Sequence, residues 1–381
     1  MWFDLFYTAG GIILYSYVGY PLLLAVLSVF KSRSKQTATQ LPLVTVIIAA
    51  YNEEAVIGKK IENTLAADYP LEKLQLIVAA QGSTDRTAAI AAAFPNVLVM
   101  QSAERKGKAV AVNEAVAQAI HPVVVLTDAN TLLTPQTIQR LVLKLNDAAT
   151  GAVAGEKKVV DVNNATVSGE GLYWRYESWL KQQETVFYTV VGAAGELFAF
   201  KKELFVPIPE HAVTDDFFLS LSVNMQGKKV AYAADAISTE AASLSLKDEW
   251  NRKLRIAAGG IQSLFLVKEA LNPFRYPVLS FQFFSHRVLR WLFCGPAFLV
   301  LLLANVMLAN TTSFACYRVA LLLQILFYVF ALIGYFFSVQ KKSFFLFTVP
   351  FYIVFMHAAM MAGIVRYFTK GQSVLWEKAQ R

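Results

Sequence analysis

Leu43-Val44-Thr45-Val46-Ile47-Ile48-Ala49-Ala50 runs directly into Tyr51-Asn52-Glu53-Glu54, and this stretch decides the fold. The first eight residues are apolar apart from Thr45, a short run that reads as a strand buried on both faces. Residues 53–67 follow as a helix with Ile57, Ile61 and Leu65 on one face. The same unit then recurs. Strands are expected at 74–80, 97–100 and 123–127, and helices at 84–94, 107–119 and 135–146. Alternation of this kind predicts an α/β domain with a mostly parallel, Rossmann-like sheet and helices on both faces. Ligands then bind at the carboxyl ends of the strands.

Outward from this domain the composition changes. The chain has 381 residues, of which 56% are hydrophobic and 16% charged. Soluble proteins run closer to about 45–50% apolar and about 25% charged, so part of the chain belongs in lipid. Such a chain is too apolar to be intrinsically disordered. Residues 5–30 carry no charge and suffice for one crossing, and Lys31, Arg33 and Lys35 place their carboxyl end in the cytoplasm. From Trp291 to Gln340 the only charge is Arg318, with a polar break at Asn310-Thr311-Thr312-Ser313 that suits two spans. A last uncharged run covers 343–365.

The expected organisation is an N-terminal anchor at 1–30, a cytoplasmic domain at 41–249, amphipathic interfacial helices at 250–290, membrane helices at 291–366 and a basic tail at 367–381. Three crossings after the domain put the tail outside, whereas Arg366, Lys370, Lys378 and Arg381 favour the inside. Residues 258–291, which mix aromatics with Lys268, Arg275, Arg287 and Arg290, are the expected interfacial segment that relieves this conflict. Lys and Arg minus Asp and Glu gives +8, which suits an anionic leaflet or phosphorylated ligands and does not by itself indicate nucleic acid. Cys294 and Cys316 offer neither a disulfide framework nor zinc-ligand spacing, and His121, His211, His286 and His357 lack ligand spacing as well.

Polar residues gather where the crevice is expected: Tyr51 to Glu54 after the first strand, Gln81 to Asp85 after the second, and Asp128-Ala129-Asn130 after the fourth. Singly, each has a plain explanation. Asn52 or Ser83 suits a helix cap, Asp85 a helix N-terminus, Asp128 a turn, and Tyr51 packing. Together and in this order they resemble family 2 of the inverting, nucleotide-sugar-dependent glycosyltransferases, whose catalytic domain has the GT-A fold. Val46 to Glu54 resembles the family's opening strand and nucleotide turn. Gln81-Gly82-Ser83-Thr84-Asp85 resembles its Asp-Gly-Ser-x-Asp, Lys106-Gly107-Lys108 its Gly-Lys helix start, Asp128-Ala129-Asn130 its Asp-x-Asp, and Thr214-Asp215-Asp216 its Thr-Glu-Asp.

The resemblance implies roles. Tyr51, Asn52, Glu53, Gln81, Ser83, Asp85, Lys106, Lys108, Asp128 and Arg255 would bind the donor, a nucleotide-sugar that the resemblance implies is UDP-linked. Asp128 and Asn130 would hold Mg2+ or Mn2+, with one carboxylate fewer than the family pattern. Asp216 would be the general base, and Asp215 would position it. Gly192, Gly195, Arg252 and Ile256 would line the acceptor site, for a glycan or a lipid-linked hydroxyl. Arg252-Lys253-Leu254-Arg255-Ile256 stands where processive synthases carry Gln-Gln-x-Arg-Trp, so Arg255 is kept and the stacking tryptophan is replaced by Ile256. The same basic stretch also suits a face against anionic lipid. The sequence thus describes an integral membrane transferase of the inner or plasma membrane. The rivals are a processive polysaccharide synthase and a catalytically weak binding subunit, the latter suggested by Gln81 and Asn130.

Overall fold

Parallel pairing of the first strands builds the sheet from the segments the apolar pattern marks. The computed structural model describes residues 1–31, 40–160, 167–193, 195–241, 245–340 and 342–369. Arg33, Lys35, Ala194, Lys341 and the tail residues Lys370, Lys378 and Arg381 lie outside the described residues. Strands β1 (Val44–Ala49), β2 (Leu74–Ala79), β3 (Val97–Met100) and β4 (Val123–Asp128) run parallel in the order β3-β2-β1-β4. Ala49 pairs with Ala79 on one side and with Asp128 on the other, so three polar turns leave the sheet at one level.

The other half of the sheet is mixed. Beyond β4 come β7 (Leu197–Lys201), antiparallel to it, then β6 (Thr150–Val160), β8 (Lys229–Ala241) and β5 (Thr131–Leu133). Apolar side chains fill both faces of the sheet, with Ile47, Val124 and Phe198 on one side and Val46, Val125 and Ala199 on the other. The helix expected from Glu53 starts only at Ile57 and ends at Leu65, because Glu53 and Glu54 are drawn off into the turn: the Glu53 amide donates to Thr87 Oγ1 (2.8 Å) and the Glu54 amide to Asp85 Oδ2 (3.1 Å).

Four helices among the described residues are long and apolar enough to cross a membrane: α1 (Trp2–Val29), α9 (Pro277–Thr311), α10 (Ala315–Val339) and α11 (Phe345–Thr369). The first three form a bundle. Tyr7 bonds Tyr317 at its far end (2.9 Å), and Tyr15 bonds Ser285 nearer the catalytic domain (2.9 Å). At 35 residues and about 1.5 Å per residue, α9 is about 52 Å long, well over the roughly 30 Å of hydrocarbon. The segment 277–291 is thus the near end of one continuous helix, part of the stretch expected to be a separate interfacial element.

Two helices join bundle to sheet: α6 (Val167–Phe187) and α8 (Leu246–Leu266). Ser245 caps α8 by accepting from the Asp248 amide at 3.1 Å. The helix α11 starts against the near end of α10, where a Cβ on Gly334 would meet the Phe347 carbonyl, and it finishes against α8, with Gly363 pressed on Ala257 and Tyr367 stacked on Phe265. Both ends of α11 therefore lie on the side of the catalytic domain. His357, which has no evident partner in the sequence, accepts from the Tyr17 hydroxyl across this junction (2.9 Å) while its Nδ1 donates to the Ile353 carbonyl. A buried polar cluster ties α6 to the bundle: Arg290 pairs with Glu177, and His286 lies between Glu177 (3.2 Å) and Glu184 (2.7 Å). Buried charges of this kind are tolerated only when paired.

Candidate active site

Asp128 ends β4, and its carboxylate takes a hydrogen bond from Lys108 Nζ at 2.9 Å. Lys108 opens helix α4 (Lys108–Gln118), after Gly107 turns the chain at φ +96, a left-handed angle that suits glycine. The same ammonium lies 3.5 Å from Asp215, the first residue of helix α7 (Asp215–Met225). Burial works against the Lys108 charge, but Asp128 and Asp215 overcome it and raise the pKa above the ordinary lysine value.

Asp216 is the second residue of α7 and is half-buried. Burial, and then the charge of Asp215, pushes its carboxyl up to about 7, with Lys108 opposing. Gly195 faces it so closely that a Cβ there would lie 3.3 Å from the carboxyl carbon. Arg255, on α8, is lowered by burial and held up by Asp128, Asp215 and Asp216, which places its guanidinium toward the same cluster. Two cations and three carboxylates from four elements thus converge where β4 ends.

The nucleotide side is built from the two neighbouring turns. Asn52 adopts a left-handed φ of 54, and its Oδ1 accepts from the Thr84 amide (2.8 Å) while its own amide donates to Ser83 Oγ (3.2 Å). Asp85 and Thr87 close the turn from below. Gln81 donates through Nε2 to Glu114. A carboxylate only accepts, so this bond fixes the amide's orientation and leaves Gln81 Oε1 buried and unpaired among the described residues. Above the turn, the Arg105 guanidinium lies 3.8 Å from the centre of the Tyr51 ring.

Not every expected residue joins the cluster. Lys106 is exposed and pairs with Glu104 (3.5 Å). Gly192 has φ +100 and is packed under Phe217, where a Cβ would come within 2.8 Å, so its role in the described residues is to pass the chain beneath α7. Arg252 is turned onto Glu249 (3.0 and 2.9 Å). Ile256 is 40% exposed on the outer side of α8.

Other residues enter that the motifs do not announce. Lys157 on β6 pairs with both Glu196 and Glu240, and Asn130 Nδ2 donates to Glu240 at 3.1 Å. Burial would raise Glu196, but Lys157 holds it down to about 2. Lys60, completely buried on helix α2 (Ile57–Leu65), donates to Thr127 (2.9 Å) and Thr131 (3.3 Å), the residues that flank Asp128 to Asn130. Burial lowers its pKa to about 7. A lysine on the second turn of an otherwise amphipathic helix is the only sequence signal for it.

An α/β sheet whose parallel half carries the nucleotide turns and whose mixed half carries a carboxylate helix is a GT-A domain. Residues 45–206 match the model of the family Glycosyl transferase family 2, and the chain carries a glycosyltransferase domain of that family. Among curated proteins, poly-beta-1,6-N-acetyl-D-glucosamine synthase of Staphylococcus aureus is 26% identical over 231 residues, 58% of this chain and 55% of that protein. Beta-monoglucosyldiacylglycerol synthase of Synechocystis is 28% identical over 235 residues, 58% of this chain and 48% of the other. The chain spans about half the length of the curated relatives it matches. A solved mannosyltransferase of Pyrobaculum calidifontis, in complex with GDP-Man and Mn2+, has a TM-score of 0.71 at 23% identity, covering 97% of this chain and 100% of that one. The likeness of fold therefore extends through the membrane helices.

Proposed function

We propose that the chain is an inverting glycosyltransferase that moves a sugar from a UDP-linked donor to a hydroxyl on a glycan or lipid-linked acceptor at the membrane surface. The observation that carries this reading is Asp216, a carboxyl with a pKa near 7, facing the Gly195 backbone and set beside Lys108, Asp128, Asp215 and Arg255. A base poised near neutral pH takes a hydroxyl proton efficiently, and inversion requires it opposite the leaving group. Lys108 and Arg255 supply positive charge for the departing diphosphate.

The bare acceptor on Gln81 supports the choice of base. It matches the imide N–H of uracil, or the N1–H of guanine, and mismatches the ring-nitrogen acceptor on the same edge of cytosine or adenine. Uracil is preferred on the family resemblance.

A divalent ion fits with help from the substrate. Asp128 offers a carboxylate and Asn130 an amide oxygen, while among the described residues there is no group of three or more His, Cys, Asp and Glu that could hold a metal. Mg2+ and Mn2+ commonly take one or two protein carboxylates and complete their shell with phosphate oxygens and water. The ion would neutralise charge on the leaving diphosphate.

Charge and packing support a cytoplasmic catalytic domain. With α1, α9 and α10 crossing and α11 returning to the near side, Lys31, Lys342 and Arg366 all lie on the side of the catalytic domain, which is then cytoplasmic. Ile256, facing outward, supports single additions or short products over a retained polymer, and product length separates this reading from the synthase activity named for the Staphylococcus relative. The test is to incubate the purified chain with UDP- and GDP-sugars and Mg2+ or Mn2+ and to size the products. Release of nucleotide from none of them would refute the proposal.

A further inference from the structure

Asn130 is a departure from the Asp-x-Asp pattern, and its surroundings account for the amide. Asp128 closes β4 and Thr131 opens β5, so Asp128 and Asn130, both half-buried, flank the buried Ala129 in the turn between the two strands. The backbone of this turn is fixed from beneath. Thr131 Oγ1 donates to the Asp128 carbonyl (3.0 Å), and Lys60 donates to Thr127 and Thr131. What remains to be set is which end of the Asn130 amide is offered to a ligand.

Strand β8 sets it. Antiparallel pairing places Glu240 opposite Thr131, and Glu240 Oε1 accepts from Asn130 Nδ2 at 3.1 Å. A carboxylate only accepts, so the amide must present its NH2 to Glu240. Oδ1 is thereby turned to the other side, and Asn130 makes no further hydrogen bond among the described residues.

Glu240 is itself held. Its Oε2 pairs with Lys157 on β6, and each of the two residues is only 5% exposed. A buried carboxylate keeps its charge only with such partners. An aspartate at 130 would bring a second carboxylate against Glu240, and like charges at hydrogen-bond distance repel. The amide is therefore the side chain that Glu240 requires, and it gives the turn a second oxygen of fixed orientation besides the Asp128 carboxylate.

We propose that Glu240 is a positioning residue for the divalent ion: it orients the Asn130 amide so that Oδ1 serves, with Asp128, as an oxygen ligand. The matched pair of Asn130 and Glu240 then takes the place of the missing aspartate. The inference rests on the metal-assisted transferase reading and deepens it. Hydrogen bonds that orient a ligating group are commonly worth about 10–100-fold in metal affinity.

The test titrates Mn2+ into the purified full chain, alone and with saturating UDP, and reads the bound ion from loss of the free-ion paramagnetic resonance signal. Glu240→Gln offers an NH2 as well as an oxygen, no longer dictates the amide's orientation, and should weaken Mn2+ at least tenfold. Asn130→Asp should bind no more tightly than the unmodified chain. Combining the two reverses donor and acceptor, since the glutamine NH2 donates to the new carboxylate. The double variant should bind Mn2+ at least tenfold more tightly than either single one, a rescue that lost packing does not produce. If Glu240→Gln does not fold, Glu240→Asp, which keeps a carboxylate for Lys157 but withdraws it by one methylene, carries the single-variant test. Unchanged Mn2+ affinity in the Glu240 variant, effects of the two substitutions that simply multiply, or no Mn2+ bound by the unmodified chain in either condition overturns the proposal. Glu240-dependent Mn2+ binding without transfer from any nucleotide-sugar would refute the proposed function and leave the pair standing; transfer with Mn2+ affinity indifferent to Glu240 does the reverse.

Discussion

If Asp216 is the base, the acid side of the pH–rate profile belongs to it. Its carboxyl is raised from the ordinary aspartate range to about 7 by burial and by Asp215. Only the ionised form accepts a proton, so activity is lost as pH falls through that value. With a single group at about 7, roughly a tenth is ionised at pH 6 and roughly nine-tenths at pH 8. Turnover at saturating acceptor should therefore rise about tenfold between pH 6 and pH 8 and level off above. Asp215→Asn removes the neighbouring negative charge and should move the rise to lower pH, although it also takes one partner from Lys108. Asp216→Asn should keep UDP affinity and lose roughly 100-fold or more in turnover. The assay is radiolabelled sugar transfer by the purified chain across buffers of constant ionic strength. A profile flat from pH 5.5 to 8, or near-normal turnover in Asp216→Asn, would refute the reasoning.

Chelation should abolish transfer, and metal restored to Asn130→Asp should bind no more tightly than to the unmodified protein, because the new carboxylate faces Glu240 where the amide now donates at 3.1 Å; calorimetry with Mn2+ checks this. Lys60→Met should alter the pH dependence of stability. The folded-state pKa of Lys60 lies below its unfolded value, so the unfolded chain binds the extra proton between about pH 7 and 10, and stability rises with pH there by up to about 1.4 kcal/mol per unit. Thermal melts of the variant should lack this rise. A cysteine introduced at Arg366, in a background without Cys294 and Cys316, should react with impermeant maleimide only in inside-out vesicles.

The parallel half of the sheet was legible because Val44–Ala49, Leu74–Ala79 and Val123–Asp128 are apolar runs closed by polar turns, and the order of those turns carried the family. The mixed half was not. In β6 a buried Lys157 follows Glu156, and such a strand is stabilised by Glu196 and Glu240, which are distant in sequence. Gly155 in the same strand is required by Leu197, whose side chain would overlap a Cβ there. The route of α11 was hidden because its composition satisfies a crossing; what turns it back is contact, Gly363 on Ala257 and Tyr367 on Phe265. At the site, Asp128, Asp215, Asp216 and Arg255 were marked by the order of motifs that resemble the family's. The orientation of Gln81 depends on Glu114 and needed the fold.

The central claim is sugar transfer with inversion, and the anomeric configuration of the product tests it most directly. The purified chain, given an α-linked UDP-sugar, a divalent ion and a glycan or lipid-linked hydroxyl acceptor, should yield a product whose new linkage is β by the coupling of its anomeric proton, and Asp216→Asn should yield almost none. An α-linked product, or the same yield from the variant, would contradict the account.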